Sequence, residues 1–163
     1  MSADKIHEYR GRVGRYLEHA KKVAQQSGED YRHGAVLVKG GSVINTSINK
    51  NSYCAFGMRF RDKNSGKATV HAELGAILGV DRKLTYGATV YVARIGKQDD
   101  YKLSKPCSMC EAAMRYVGVK RVVFTINSKF AGSYKLCETM AMRASTRRSR
   151  IVPRSSVLLL TEQ

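Results

Sequence analysis

The stretch SKPCSMCEAAMRYVGVKRVVF, residues 104–124, decides how the rest of the chain is read. Pro106 suits a helix start, where its missing N–H is not needed. The run from Cys107 to Val117 reads as a helix that Gly118 ends, and Arg121 to Thr125 follows as a strand. Cys107 and Cys110 then lie one turn apart on one helical face, with both sulfurs able to point at a common atom beyond the helix N-terminus. The positive end of the helix favours thiolate over thiol, and thiolate is the metal-binding form. Such a pair fits a disulfide, a structural metal knot or two legs of a catalytic metal site.

Working outward, residues 5–26 place Ile6, Tyr9, Val13, Leu17, Ala20 and Val23 at helical spacing, and Ser27-Gly28 ends that helix. Ala35 to Val38 and Val43 to Asn49 read as a hairpin around Gly40-Gly41. Residues 50–68 read as a long polar loop, of a length that is usually functional or disordered. TVHAELGAILGV then gives a short helix, Thr89 to Arg94 a strand, and Gly96 to Lys105 a polar loop. Beyond residue 125, residues 135–146 look helical and Ser156 to Leu160 like a last strand. Strands alternating with helices after residue 70 predict right-handed crossovers and parallel pairing. The expectation is an α/β fold, a three-layer α/β/α sandwich whose mixed five-stranded sheet has its last strands parallel. All 163 residues fit one domain, with a basic C-terminal segment over 143–154.

The charge is lopsided. Lys and Arg number 29 against 13 Asp and Glu, a formal net charge of +16. That implies attraction to a polyanion or an anionic substrate. The N-terminal MSADKIHEYRGR has no apolar core, and Val157 to Leu160 is too short to cross a bilayer. A cytoplasmic protein without a membrane partner is expected, and there a close cysteine pair is more often a metal or redox site than a disulfide.

A catalytic zinc takes three protein ligands and leaves one position for water. His71 stands at the start of a predicted helix and brings Glu73 with it, two residues on. A carboxylate at that place can take a proton from the water and hand it to a leaving group. His7, His19 and His33 read as surface or structural residues. A redox pair is the main competitor, but it rarely has a partner HAE about a helix and a strand upstream.

H-x-E followed by P-C-x-x-C is the signature of zinc-dependent nucleobase deaminases, and the chain resembles the cytidine deaminase superfamily from its first helix to at least residue 125. It looks closest to the branch of deoxycytidylate, tRNA adenosine and AID/APOBEC-like deaminases, on the expected parallel final strands and on PCSMC followed by EAAMRYVGVKRVVF. The resemblance implies Zn2+ on His71, Cys107 and Cys110, proton shuttling by Glu73, substrate contact by Asn49 and approach of the Ala72 backbone to the base. Asn49 could equally cap a turn. Ser104, in a segment lacking the glutamate common in the tRNA enzymes, is also counted with the substrate residues. Relatives are often dimers or larger, so a homo-oligomer is compatible with the resemblance.

The loop interleaves Tyr53 and Phe56 with Arg59, Arg61 and Lys63, a mix suited to stacking bases and meeting phosphates of a single strand. Its alternative is a loop pinned by Phe56 and Phe60 in the core. Arg147, Arg148 and Arg150 in the tail add phosphate-pairing groups. The expected activity is zinc-dependent hydrolytic deamination, cytosine to uracil, within single-stranded DNA or RNA. The alternatives are a free-nucleotide deaminase acting on dCMP or cytidine, a tRNA-type adenosine deaminase, and a non-catalytic zinc-stabilised nucleic-acid-binding module.

Overall fold

The computed structural model describes residues 4–136. The expected helix, hairpin and alternating units are present, with short elements added between them. β1 (Lys5–Glu8) precedes α1 (Gly11–Ala24), and β2 (Arg32–Lys39) and β3 (Ser42–Ile48) form the hairpin. β4 (Lys50–Tyr53), α2 (Ala55–Met58) and β5 (Thr69–Val70) occupy the segment read as a loop. α3 (Ala72–Ile77) and α4 (Arg82–Thr85) lead to β6 (Thr89–Ile95), β7 (Tyr101–Lys102), α5 (Ser108–Tyr116), β8 (Arg121–Thr125) and β9 (Phe130–Lys135).

The main sheet has seven strands among the described residues, in the order β1-β9-β8-β6-β2-β3, with β7 paired to β6. β6 and β8 are parallel, as the intervening α5 crossover requires, and β2 is antiparallel to both β3 and β6. Side chains alternate between two packed faces. Val36, Val38, Tyr91, Ala93 and Val123 meet Tyr16, Leu17, Ala20 and Val23 of α1. Ala35, Leu37, Val90, Val92, Val122 and Phe124 meet α3 and α5 on the other side. Two glycines set the layer spacing. A Cβ on Gly34 would collide with the Ala20 carbonyl and the Ala24 amide of α1, and one on Gly75 would collide with the Ser47 hydroxyl of β3.

Two expectations are corrected. Residues 5–8 are not the first turns of α1: they form β1, antiparallel to β9, and Gly11 at φ +56° separates strand from helix. The helix read over 135–146 does not begin at Lys135, which closes β9. The Asn127 side chain accepts from the Lys129 and Phe130 amides, turning the chain into a hairpin antiparallel to β8. β9 is thus an antiparallel neighbour of β8, while the parallel pairing expected for the crossover strands is that of β6 and β8. The rest of that helix, the strand at 156–160, and Arg147, Arg148 and Arg150 of the basic segment lie outside the described residues.

Candidate active site

Two helix starts face each other at one end of the sheet. His71 is the N-cap of α3 and Cys107 the N-cap of α5, and neither side chain makes a capping hydrogen bond. Both turn instead toward Cys110, one helical turn into α5. His71 Nδ1 lies 3.6 Å from Cys107 Sγ and 3.4 Å from Cys110 Sγ, and the three donor atoms lie within 4.8 Å of one another. Donors bound at zinc's usual ~2.0–2.3 Å from a tetrahedral centre stand about 3.6 Å apart, so these residues fit a zinc ion without rearrangement. Among the described residues no fourth Cys, His, Asp or Glu joins the group, so one tetrahedral position is left for water or substrate. Buried Cys54 accepts a hydrogen bond from the Gly57 amide.

The electrostatics suit a cation. The Cys110 thiol hydrogen-bonds to Cys107 and holds it down to about 4, against the effect of burial and with help from His71. Cys110 is pushed well up by that same bond, by burial and by Glu73. His71 is raised, first by its bond to Cys107. Glu73, one residue into α3, is 5% exposed. Burial pushes its carboxyl up, opposed by its own backbone amide and by the His71 charge.

What holds Cys107 in place is Ser104. Its hydroxyl donates to the Val92 carbonyl at 2.8 Å and accepts from the Thr125 amide at 2.9 Å, and its own amide donates to Thr125 O. The turn into α5 is thereby tied to the ends of β6 and β8. The Ser104 hydroxyl is engaged in this buried network, and the residue also lines the cavity beside the donor group.

A cavity of about 420 Å3 opens over the group, with His71, Ala72, Glu73, Cys107 and Asn49 in its lining. Asn49 is both wall and brace. Its Oδ1 accepts from the Ser27 hydroxyl and the His33 amide, and its Nδ2 donates to the Tyr31 carbonyl. The capping alternative thus describes its present bonds, while one Nδ2 hydrogen is left over. Glu29, Tyr31, His33, Lys50 and Ser104 also stand in the wall. His33 is therefore more than a surface residue. No local motif marks it, since the wall is assembled from segments far apart in the chain; its place directly before the buried run of β2 was the available signal. His7 is structural, bonded to the Ser133 hydroxyl.

The aromatic-basic loop is arranged otherwise. Neither Tyr53 nor Phe56 lines the cavity. Phe56 packs on Phe60 and Tyr116 and against the core, and Arg59 lies over all three rings and donates to the Tyr116 hydroxyl. The reading of Phe56 and Phe60 as anchors is the one that describes them. Tyr53 is exposed on β4, Lys63 is exposed, and Arg61 donates to the Ser65 carbonyl while its charge is felt at His71.

No helix among the described residues is long and apolar enough to cross a membrane. No curated protein matches the chain. Among solved structures it is similar to the dCMP deaminase of cyanophage S-TIM5 (21% identity over 69% of this chain and 80% of that one, TM-score 0.48). It is also similar to RibD of Acinetobacter baumannii (19% identity, TM-score 0.44), covering 69% of this chain but only 27% of RibD. A cytidine deaminase of Mycobacterium tuberculosis is similar at 17% identity over 71% of this chain and 89% of that one, TM-score 0.43. The model of the cytidine and deoxycytidylate deaminase zinc-binding region matches residues 12–126, a span that contains both helix starts and the whole donor group, and the chain belongs to that deaminase family.

Proposed function

We propose that this protein hydrolyses the exocyclic amine of a cytosine base, giving uracil and ammonia, and that its substrate is single-stranded nucleic acid. One observation carries the chemistry: a buried carboxyl, Glu73, stands beside three convergent metal donors at a cavity sized for a base. Bound to those donors, zinc would supply a water acidified enough to act at neutral pH. Glu73 would take a proton from that water and deliver it to the departing amine. Burial favours the proton-bearing form of its carboxyl, which suits a group that must hold a proton between the two events. Ala72 and Asn49 would frame the base from α3 and from the end of β3. The packing of α3 on β2 and β3 leaves Glu73 5% exposed in the lining of the cavity.

The preference for cytosine rests on the family; the preference for a polynucleotide rests on the +16 charge and on Arg61, whose charge is felt at His71. The test is a panel of a cytosine-containing oligonucleotide, dCMP, cytidine and an adenosine-containing oligonucleotide, with products identified by mass. Uracil formation in the oligonucleotide is expected. Turnover of dCMP alone would replace the polynucleotide with a free nucleotide, and turnover of adenosine alone would replace the base. A Glu73→Ala protein with every activity intact would leave only a binding module.

A further inference from the structure

On the sheet face that carries α1, a buried phenol lies within reach of several unpaired guanidiniums. Tyr91, in the middle of β6, packs with Val36, Ala93 and Val123 against Tyr16, Leu17 and Ala20 of α1. α3, α5 and Cys110 of the donor group belong to the opposite face, so the sheet stands between Tyr91 and the cavity. Tyr91 is 6% exposed, and its hydroxyl has no hydrogen-bond partner among the described residues. The neighbouring Tyr16 ring, 4.9 Å away between centroids, gives its own hydroxyl hydrogen to the Gly41 carbonyl.

Burial pushes the Tyr91 phenol up, helped by Tyr16 and opposed by the charges of Arg12, Arg121 and Arg15. Arg12 and Arg15 lie in the first half of α1, whose first turn has no acid, and Arg121 opens β8. The Arg15 guanidinium carbon lies 5.4 Å from the centroid of the Tyr16 ring. Lys135 stands directly opposite Arg121 on β9, and its backbone amide donates to Asp4. The ion pairs among the described residues use Arg10, Arg32, Lys102 and Arg115. Arg12, Arg15 and Arg121 make neither an ion pair nor a side-chain hydrogen bond there.

Solvated arginines alone would mark nothing. The phenol is the distinguishing feature, because a buried tyrosine hydroxyl ordinarily finds a partner, and phenylalanine would fill the same space without one. Like charges gathered around it repel unless an anion joins them. A tetrahedral oxyanion has oxygens enough to accept paired guanidinium bonds and a phenol hydrogen together.

We infer that Tyr91, Arg12, Arg15 and Arg121 form a phosphate-binding site on the sheet face away from the donor group. It is separate from the proposed deamination and does not depend on it. A phosphodiester of a nucleic-acid strand and a free phosphate share this chemistry, and the test separates them.

The zinc-loaded full chain is titrated with a labelled oligothymidylate by fluorescence anisotropy, and with inorganic phosphate and tripolyphosphate by calorimetry. None of these carries an amine to hydrolyse, so the outcome is independent of whether the protein deaminates cytosine. Tyr91→Phe should weaken binding about threefold to tenfold and Arg121→Ala about tenfold to a hundredfold. Tyr91→Phe keeps the ring and the net charge, so its loss reads the site and not the overall charge of the chain. Arg12→Gln, at an exposed position, serves if Arg121→Ala does not fold. Lys97→Ala, an exposed cation elsewhere, should change binding by less than about twofold. Losses confined to the oligonucleotide assign a phosphodiester to the site, and losses confined to phosphate and tripolyphosphate assign a free phosphate. Binding of none of the three ligands, equal losses from Lys97→Ala and Arg121→Ala, or wild-type affinity in Tyr91→Phe overturns the inference.

Discussion

Two regions of this protein carry chemically rich side chains, and they behave in opposite ways. At the paired helix starts, His71 and Cys107 make no capping hydrogen bond and, with Glu73 and Cys110, converge across a gap in sequence of 36 residues between His71 and Cys107. In the segment 50–68, Phe56, Arg59 and Phe60 satisfy one another and Tyr116. Reactive residue types are common to both. What separates them is whether the polar groups find partners nearby or are held, by a frame built elsewhere, around a common point.

The sharpest way to break that contrast is to remove one donor and, separately, the carboxyl. Cys110→Ala should abolish stoichiometric zinc in metal analysis together with all deamination. Glu73→Gln should keep zinc and lose about 10²–10⁴-fold in kcat. A Glu73→Gln protein that loses its metal would make Glu73 part of the donor group instead of its neighbour.

Proton competition at the donor group is next in size. In the metal-free site the raised Cys110 and His71 hold protons that zinc must displace, while Cys107 is already thiolate above about 4. Zinc affinity should therefore rise with pH through the neutral range, by roughly tenfold per unit for each proton displaced. Chelator competition at two pH values measures it, and a flat response would contradict the burial and bonding assigned to Cys110.

Smaller effects refine the frame. Ser104→Ala leaves the Thr125 amide without its partner inside the protein, so denaturant unfolding should show a loss of about 1–3 kcal/mol. Arg59→Ala, in the self-satisfied region, should change kcat/KM by less than about twofold. A large loss there would return the aromatic cluster to the substrate path.

The same contrast explains what was legible beforehand. β2, β3, β6 and β8 announce themselves because their apolar runs fill two faces of a packed sheet. The donors were legible because a helix start needs few residues to place a side chain, and PCSMC and HAE each supply a start together with ligands. β1 and β7 were missed because they are short and their pairing is decided by the neighbour each edge happens to meet: Ile6 is 59% exposed, and β7 has two residues; β9, FAGSYK, lacks an apolar run because Gly132 and Ser133 fill its middle. The bonds of Ser104 and the cavity position of His33 were not legible for a related reason. A hydroxyl or imidazole takes its role from what surrounds it, and here that is a strand end brought from elsewhere in the chain.

Zinc-edge X-ray absorption on the purified protein tests the central claim most directly. One zinc per chain, bound by two sulfurs, one imidazole nitrogen and one further light atom, with that last atom displaced or altered when a cytosine ligand is added, is the predicted result. A shell of three or more sulfurs, four protein donors insensitive to any ligand, or a protein that takes up no zinc would contradict it.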